Sequence, residues 1–263
     1  MMVSETTLRL GVFFGVLLIV ALAEYLWPKR TAHLPKTNRW SRNLSLVVLD
    51  SVAARLLIPF TAASVAVYAE QNHMGLFNVF PMPFALAVVL SIVLLDLLIY
   101  TQHVVFHRIP WLWRLHKVHH IDQDFDVTTG LRFHPVEILL SALIKCGAVW
   151  LLGAPFIAVV IFEILLNATA MFNHGNLHLP AKLDRILRRV VVTPDMHRVH
   201  HSVLPSETNS NYGFNLPWWD RLFKTYQAQP KHGHTEMTIG LNEYQDARKT
   251  GLLALLIIPF RKK

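Results

Sequence analysis

Ten of the 15 histidines in this chain fall into four compact groups: His103 with His107; His116, His119 and His120; His174 with His178; and His197, His200 and His201. A neutral imidazole nitrogen is a good ligand for iron, zinc, copper or nickel. In a helix, spacings of three and four residues bring such nitrogens onto one face, where they can converge on an ion. The pattern His-x-x-His-His occurs twice, at 116–120 and at 197–201, a repetition that a merely solvated polar face does not explain. Four groups offer more nitrogens than one ion can use, so the economical reading is two metal ions sharing one site. Between His174 and His178 lies Gly175, which weakens a shared helical face, so His174 is the better placed of that pair.

Polar neighbours are candidates to orient these ligands through hydrogen bonds. Asp96 precedes His103 by about two helical turns, Asn173 adjoins His174, and Asp195 precedes His197. His134, in Phe133-His134-Pro135, reads as a ligand, a supporting partner or an interfacial residue, with support favoured. His73 closes Glu70-Gln-Asn-His73, which matches the Glu-x-x-His element of soluble di-iron bundles. That fold needs two such elements, and this one is expected on the opposite side of the membrane, so it reads as a coincidence.

The elements that must carry these histidines are apolar. The chain is 53% hydrophobic and 16% charged, with a positive mean hydropathy, which places it among integral membrane proteins. Runs at 8–27, 44–69 and 82–100 approach or exceed the roughly 20 residues that cross a bilayer. Two shorter runs, 136–152 and 155–172, are separated by little more than Gly153 and Ala154 and read as a tight helical hairpin. The expected architecture is all-α, with about three transmembrane helices, the hairpin, and a cytoplasmic histidine-rich helical cap. A single domain over 1–263 is expected, with its catalytic region at about 94–226.

Orientation follows from basic residues, which resist translocation. Lys29, Arg30, Lys36, Arg39 and Arg42 lie between the first two runs, whereas 70–81 has no Lys or Arg, so the first loop is expected in the cytoplasm. All four histidine groups then lie on the cytoplasmic side, with Lys182, Arg185, Arg188, Arg189 and Arg198. The first run lacks a compact basic lead-in and an Ala-x-Ala site, and reads as a retained helix. Residues 251–260, closed by Arg261, Lys262 and Lys263, are too short to span and read as an interfacial patch. Anionic lipid headgroups account for the net charge of +8, so no nucleic-acid partner is expected. The single cysteine, Cys146, excludes an intramolecular disulfide and a thiolate cluster and reads as a small hydrophobe. Asp50 and Arg55, in the second run, are the one hint of a path through the membrane, and a local polar contact between helices explains them as well.

Zinc hydrolases commonly carry His-Glu-x-x-His, which is absent here. Histidines without nearby thiolates or grouped carboxylates suit a dinuclear site, and iron connects such a site to oxygen chemistry. A site at a membrane boundary points to a lipid substrate. Two other readings stay open: a membrane zinc hydrolase, and a metal transporter or sensor. A transporter should spread its ligands along a path through the membrane, whereas these collect on one side.

The motifs together resemble the fatty acid hydroxylase superfamily, which includes membrane sterol desaturases and alkylglycerol monooxygenases. The resemblance rests on His103-Val-Val-Phe-His107, Leu112-Trp-Arg-Leu-His116-Lys-Val-His119-His120, Phe133-His134-Pro135, Asn173-His174-Gly-Asn, Thr193-Pro-Asp-Met-His197-Arg-Val-His200-His201, Asn211-Tyr-Gly213 and Trp219-Asp-Arg-Leu-Phe223. It implies a non-haem enzyme with two iron ions, held by the ten grouped histidines, that uses dioxygen to hydroxylate or desaturate a fatty acyl chain, sterol or alkylglycerol. Lys224 stands where the family usually has glycine. The chain shows no dinucleotide fingerprint, haem domain or iron-sulfur cysteines. Electrons would therefore come from a separate carrier of the ferredoxin or cytochrome b5 type, docked on the basic cytoplasmic surface. The implied location is multi-pass, in the inner membrane if the source is bacterial and the endoplasmic reticulum if eukaryotic.

Overall fold

The computed structural model describes residues 4–246 and 250–261; Lys262 and Lys263 of the expected interfacial segment lie outside them. The long helices are α1 (Glu5–Leu26), α2 (Lys36–Leu57), α3 (Ala62–Gln71), the short α4 (Leu76–Val79), α5 (Phe84–Arg108), α6 (Pro110–His120), α7 (Pro135–Leu152) and α8 (Phe156–Asn173). Shorter helices follow: α9 (Ala181–Leu187), α10 (Pro194–His200), α11 (Pro205–Thr208), α12 (Trp218–Leu222), α13 (Gly233–Glu236) and α14 (Leu252–Ile257). The described residues contain no strand.

Among the described residues, five stretches are long and apolar enough to cross a membrane: Glu5–Leu26, Lys36–Val79, Phe84–Arg108, Pro135–Leu152 and Phe156–Asn173. Their outward faces carry large apolar side chains such as Phe14, Leu18, Ile19, Leu56 and Leu57, a surface that suits lipid rather than water. The second stretch is not one helix. α2 stops at Leu57, Pro59 removes a backbone donor, and Thr61 and Ser64 form a reciprocal capping box that starts α3.

The turn at Gly153 is as tight as its sequence suggests. Gly153 has φ 62°, and a Cβ there would sit 2.7 Å from Asn78 Nδ2, so only glycine fits without strain. The two helices that it joins do not rest mainly on each other, however. α7 packs on α2, α3 and α5, α8 packs on α1, α3 and α5, and a Lys145–Glu163 ion pair bridges α7 to α8. Small residues allow the close approach of α3: Ala62 and Ala66 meet Leu95, Cys146, Val149, Val159 and Phe162 in one buried cluster. Cys146 is thus the buried hydrophobe its surroundings predict.

α1, α5 and α8 end, and α2 and α7 begin, at one end of this bundle, and the remaining chain folds over that end. α14 is part of this cover. Leu255 and Ile258 are buried against Leu46, Val118 and Ile121, while Leu253 and Phe260 stay exposed. Only the outer face of the expected interfacial segment is therefore available to lipid.

A buried ionic cluster fastens the cover to α2. Arg39, 2% exposed, donates Nε and Nη2 to both Asp122 oxygens at 2.8 and 2.7 Å, and Nη1 to Asp126 at 2.5 Å. Asn43 joins through Asp122 Oδ2 and Thr128 Oγ1. Burial pushes the Asp122 carboxyl up, but Arg39, with Arg132 and Thr129, more than offsets this and holds it below the usual carboxylate range. Bidentate geometry with every oxygen satisfied is what makes such burial tolerable. Replacing Arg39 with methionine is expected to lower unfolding stability by about 3–5 kcal/mol, because two buried carboxylates lose their partner. Thermal unfolding of the purified chain in detergent measures this, and an unchanged midpoint would contradict it.

Candidate metal centre

Nine of the ten grouped histidines converge beneath the cover. His103, His107, His116, His120 and His200 form one set and His119, His174, His197 and His201 a second; within each, one nitrogen per residue lies within 4.8 Å of the others. The helix repeat explains the division. Residues four apart lie about 40° apart around a helix, whereas adjacent residues lie about 100° apart. α6 therefore gives His116 and His120 to the first set and turns His119 toward the second. The second motif, which runs through α10 and its C-cap His201, does the reverse, giving His197 and His201 to the second set and His200 to the first. The sets touch where the His120 and His201 rings stack at 4.5 Å.

Five of these rings have Nδ1 anchored on an oxygen. His103 Nδ1 donates to the Tyr212 carbonyl at 2.7 Å, His119 to Arg132 at 3.2 Å, His174 to Ala170 at 2.7 Å and His200 to Ser210 at 2.7 Å. His116 Nδ1 donates to Glu137 Oε1 at 2.6 Å. A carbonyl can only accept, so in His103, His119, His174 and His200 Nδ1 holds the proton and the Nε2 lone pair faces inward.

These inward nitrogens test whether a metal fits. Nε2 of His103, His116 and His200, and both nitrogens of His107, His120 and His201, are buried without a hydrogen-bond partner. Leaving so many polar atoms unpaired would cost on the order of 1–3 kcal/mol each. His174 Nε2 lies 3.1 Å from Nε2 of both His119 and His197. Imidazoles bound at about 2.1 Å to one ion place neighbouring nitrogens roughly 3 to 3.4 Å apart, so this spacing fits a shared ion. Burial pushes His116 and His174 down to about 3 and holds His119, His120, His197, His200 and His201 well below the ordinary value, with neighbouring imidazoles adding to the effect. The rings are therefore neutral at physiological pH, the form that binds metal. Aromatic side chains wall the site: Phe133 stacks on His119 at 4.6 Å, Trp113 lies against His107 and His120, and Phe125 against His174 and His201.

His178 does not join either set. Beyond the end of α8 the chain runs extended beside Pro28, and the His178 amide donates to the Trp27 carbonyl at 2.9 Å. This turns its exposed side chain into a separate surface cavity with Lys29, Arg188 and His234.

The expected supporting residues act elsewhere. Asp96 Oδ2 accepts from Trp219 Nε1 at 2.8 Å and the Leu216 amide at 3.3 Å, which ties α5 to the loop before α12. Asn173 donates to the Phe214 carbonyl at 2.9 Å. Asp195 pairs with Arg198 and Lys29. His134 caps α7 by accepting from the Val136 amide at 3.1 Å, and its Nε2 lies 3.2 Å from the Leu256 carbonyl. None of these contacts reaches a grouped histidine. The direct partners are backbone carbonyls and Glu137, the one acid in residues 135–152. That isolated acid, one turn from His134, was the signal available in the sequence.

Other motif residues build the loops that offer those carbonyls. Asp220 accepts from the Tyr212 and Gly213 amides, both at 2.8 Å, and from Thr225 Oγ1 at 2.7 Å, which aims the Tyr212 carbonyl at His103. Asn211 donates to the Met196 carbonyl at 2.9 Å and accepts from the Gln227 amide at 2.8 Å. Lys224 adopts φ 59°, the left-handed conformation that glycine enters without strain. Gly130 admits His174: a Cβ there would lie 2.4 Å from the Ala170 carbonyl oxygen and 3.0 Å from His174 Nδ1.

A cavity of about 370 Å³ leads from the first set into the bundle, lined by His103, His116, Phe13, Val47, Ile99 and Leu166 among others. Its volume and mostly apolar wall suit a small molecule or a segment of lipid.

Comparison with known proteins places these features in a lineage. A family model described as fatty acid hydroxylase matches residues 88–225. The ornithine lipid hydroxylase OlsE of Rhizobium tropici is 28% identical over 260 residues, covering 96% of this chain and 75% of its own length. The Δ7-sterol-C5(6)-desaturase of Nicotiana tabacum is 26% identical over 234 residues, 81% of this chain and 80% of the relative. An alkylglycerol monooxygenase of Caenorhabditis elegans is 28% identical over 140 residues, 51% of this chain but only 26% of that longer protein. No solved structure matches significantly.

Replacing Glu137 with alanine is expected to weaken metal binding by about 10–100-fold, as loss of a ligand-orienting partner does. Glu137→Gln, whose amide oxygen still accepts from His116, should retain most of the affinity. Chelator competition against iron(II) reads both, and equal affinity in the alanine variant and the unaltered chain would contradict the role.

Proposed function

Because the chain belongs to the fatty acid hydroxylase family, we propose that it is a membrane di-iron oxidoreductase that hydroxylates, or desaturates, a lipid with dioxygen and external electrons. The observation that carries this reading is the pair of contiguous imidazole sets at the end of an apolar cavity. His103, His107, His116, His120 and His200 would hold one iron, and His119, His174, His197 and His201 the other. When bound, such a centre supplies reductive activation of dioxygen to an oxidant that takes hydrogen from an unactivated carbon.

The chain's own part is placement and exclusion. The Nδ1 anchors hold five of the nine rings in one orientation, so that part of the set needs little reorganisation. Phe106, Phe133 and Phe214 line the cavity beside His103 and His116 and keep water from the reacting carbon. In a hydroxylation one oxygen atom goes to the lipid and the other leaves as water, with two electrons delivered one at a time by a separate carrier and two protons taken from the aqueous phase. For a ferredoxin or cytochrome b5 type of donor, the exposed residues Lys182, Arg185 and Arg189 offer a basic contact surface. Arg188 and Arg198 are buried in ion pairs with Asp184 and Asp195 and do not contribute to it.

The reading places the histidine end in the cytoplasm of a multi-pass protein. The related hydroxylase, monooxygenase and desaturase act on lipids by their names, which supports a lipid substrate here. Hydroxylation is favoured over desaturation, and the zinc hydrolase and transporter readings find less support in the nine converging histidines. Cells expressing the chain under ¹⁸O₂ should accumulate a lipid heavier by one labelled oxygen, and this product should vanish in a His120→Ala variant. A new double bond without label would indicate desaturation. No change in any lipid, or a new hydroxyl that carries no label, would overturn the oxygenase reading.

A further inference from the structure

Three polar side chains in the wall of the cavity have an oxygen that the protein leaves unsatisfied. Asp50 on α2 is 7% exposed, and its Oδ1 has no hydrogen-bond partner. Gln102 on α5 donates its amide to Ser141 Oγ at 2.6 Å, which leaves its buried Oε1 unpartnered. Glu137 uses Oε1 on His116 and keeps Oε2 unpartnered. All three line the cavity that reaches His103 and His116, and its lining includes no Lys or Arg.

The chemistry of this lining is one-sided. A buried acceptor left unpaired is costly, so each of these oxygens favours a ligand that brings an N–H or O–H. A carboxylate or phosphate brings only acceptors and negative charge, and would meet two carboxyl groups with no cation to offset them. Nor is Asp50 needed to hold the helices together. Arg55, its expected polar companion, is exposed, and no ion pair to Asp50 occurs among the described residues. A helical residue that is buried, polar and without a partner in the protein is best explained by what occupies the cavity.

We propose that the cavity takes a lipid whose polar group donates hydrogen bonds, a primary ammonium or a hydroxyl, and that Asp50 is the residue that selects it. This rests on the reading of the cavity as the substrate slot of a lipid oxidoreductase. It goes further by assigning the substrate's polar group and by excluding lipids that present only an anion there. Asp50 and Gln102 would grip the donor group from two helices, fixing the distance between that group and the carbon presented to the histidines. They are specificity residues, since neither side chain hydrogen-bonds to a grouped histidine among the described residues.

Binding of dodecylamine, dodecanol and dodecanoate to the full chain in detergent, read by native mass spectrometry, tests this without requiring turnover. Dodecylamine is expected to bind about tenfold or more tightly than dodecanoate, as a hydrogen bond to a charged group implies. Asp50→Asn should remove most of the amine's advantage while sparing dodecanol, and Asp50→Leu should weaken both. Tighter binding of dodecanol than of dodecylamine, with dodecanoate weakest, would assign the hydroxyl as the source of the donor. Dodecanoate binding as well as dodecylamine, or an unchanged order of ligands in Asp50→Asn, would overturn the proposal. Should the Asp50 variants fail to accumulate, Gln102→Leu is expected to weaken dodecanol binding about tenfold, and unchanged binding would overturn it equally. Iron content measured on the same samples separates the two claims. Loss of iron binding would sink the di-iron reading, whereas the ligand order judges only the selectivity of the cavity.

Discussion

Everything in this protein is arranged around a buried imidazole nitrogen that must have a partner. Nine such rings are removed from water at one end of a membrane bundle, and water cannot satisfy them there. Four backbone carbonyls and Glu137 settle the outer nitrogen of five rings. Where the partner is a carbonyl this fixes the proton on Nδ1, and in His103, His116 and His200 the inner Nε2 meets nothing in the protein. A site of this kind is unfavourable empty, so a metal bound there would stabilise the cover as well.

The requirement propagates outward. For the Tyr212 carbonyl to reach His103, Asp220 must gather two consecutive amides, and Lys224 must accept a left-handed backbone. For the Arg132 carbonyl to reach His119, the loop after α6 must be held, and Arg39 on α2 does so through Asp122 and Asp126. Arg132 itself donates Nε to the Val118 carbonyl and Nη1 to Asn43. This charged layer is almost wholly buried, and it connects the apolar helices to the grouped histidines. The apolar helices set the position of this layer, since five of them start or stop at the same level.

Much of this could be read from the sequence, and the parts that could not have physical reasons. Histidine spacing located nine ligand candidates because a helix converts three- and four-residue intervals into proximity. It failed for His178 because the chain leaves the helix at His174. The apolar runs located the long helices, yet one run contained a break at Pro59 and a second helix, since hydropathy alone does not register a turn inside an apolar stretch. Asp96, Asn173, Asp195 and His134 were natural candidates for orienting ligands because side chains are what a sequence displays. The work falls instead to main-chain carbonyls, which every residue carries and no residue type reveals. Glu137 and Asp50 were visible as isolated acids in apolar helices, but their purpose depends on a cavity formed by several segments distant in sequence.

The central claim is that the two histidine sets hold two iron ions side by side. Metal analysis of the purified chain tests it most directly when combined with one substitution from each set, His120→Ala and His201→Ala. The account predicts about two iron ions per chain in the unaltered protein and about one in each variant. A single tightly bound zinc, or a metal content that neither substitution alters, would contradict it.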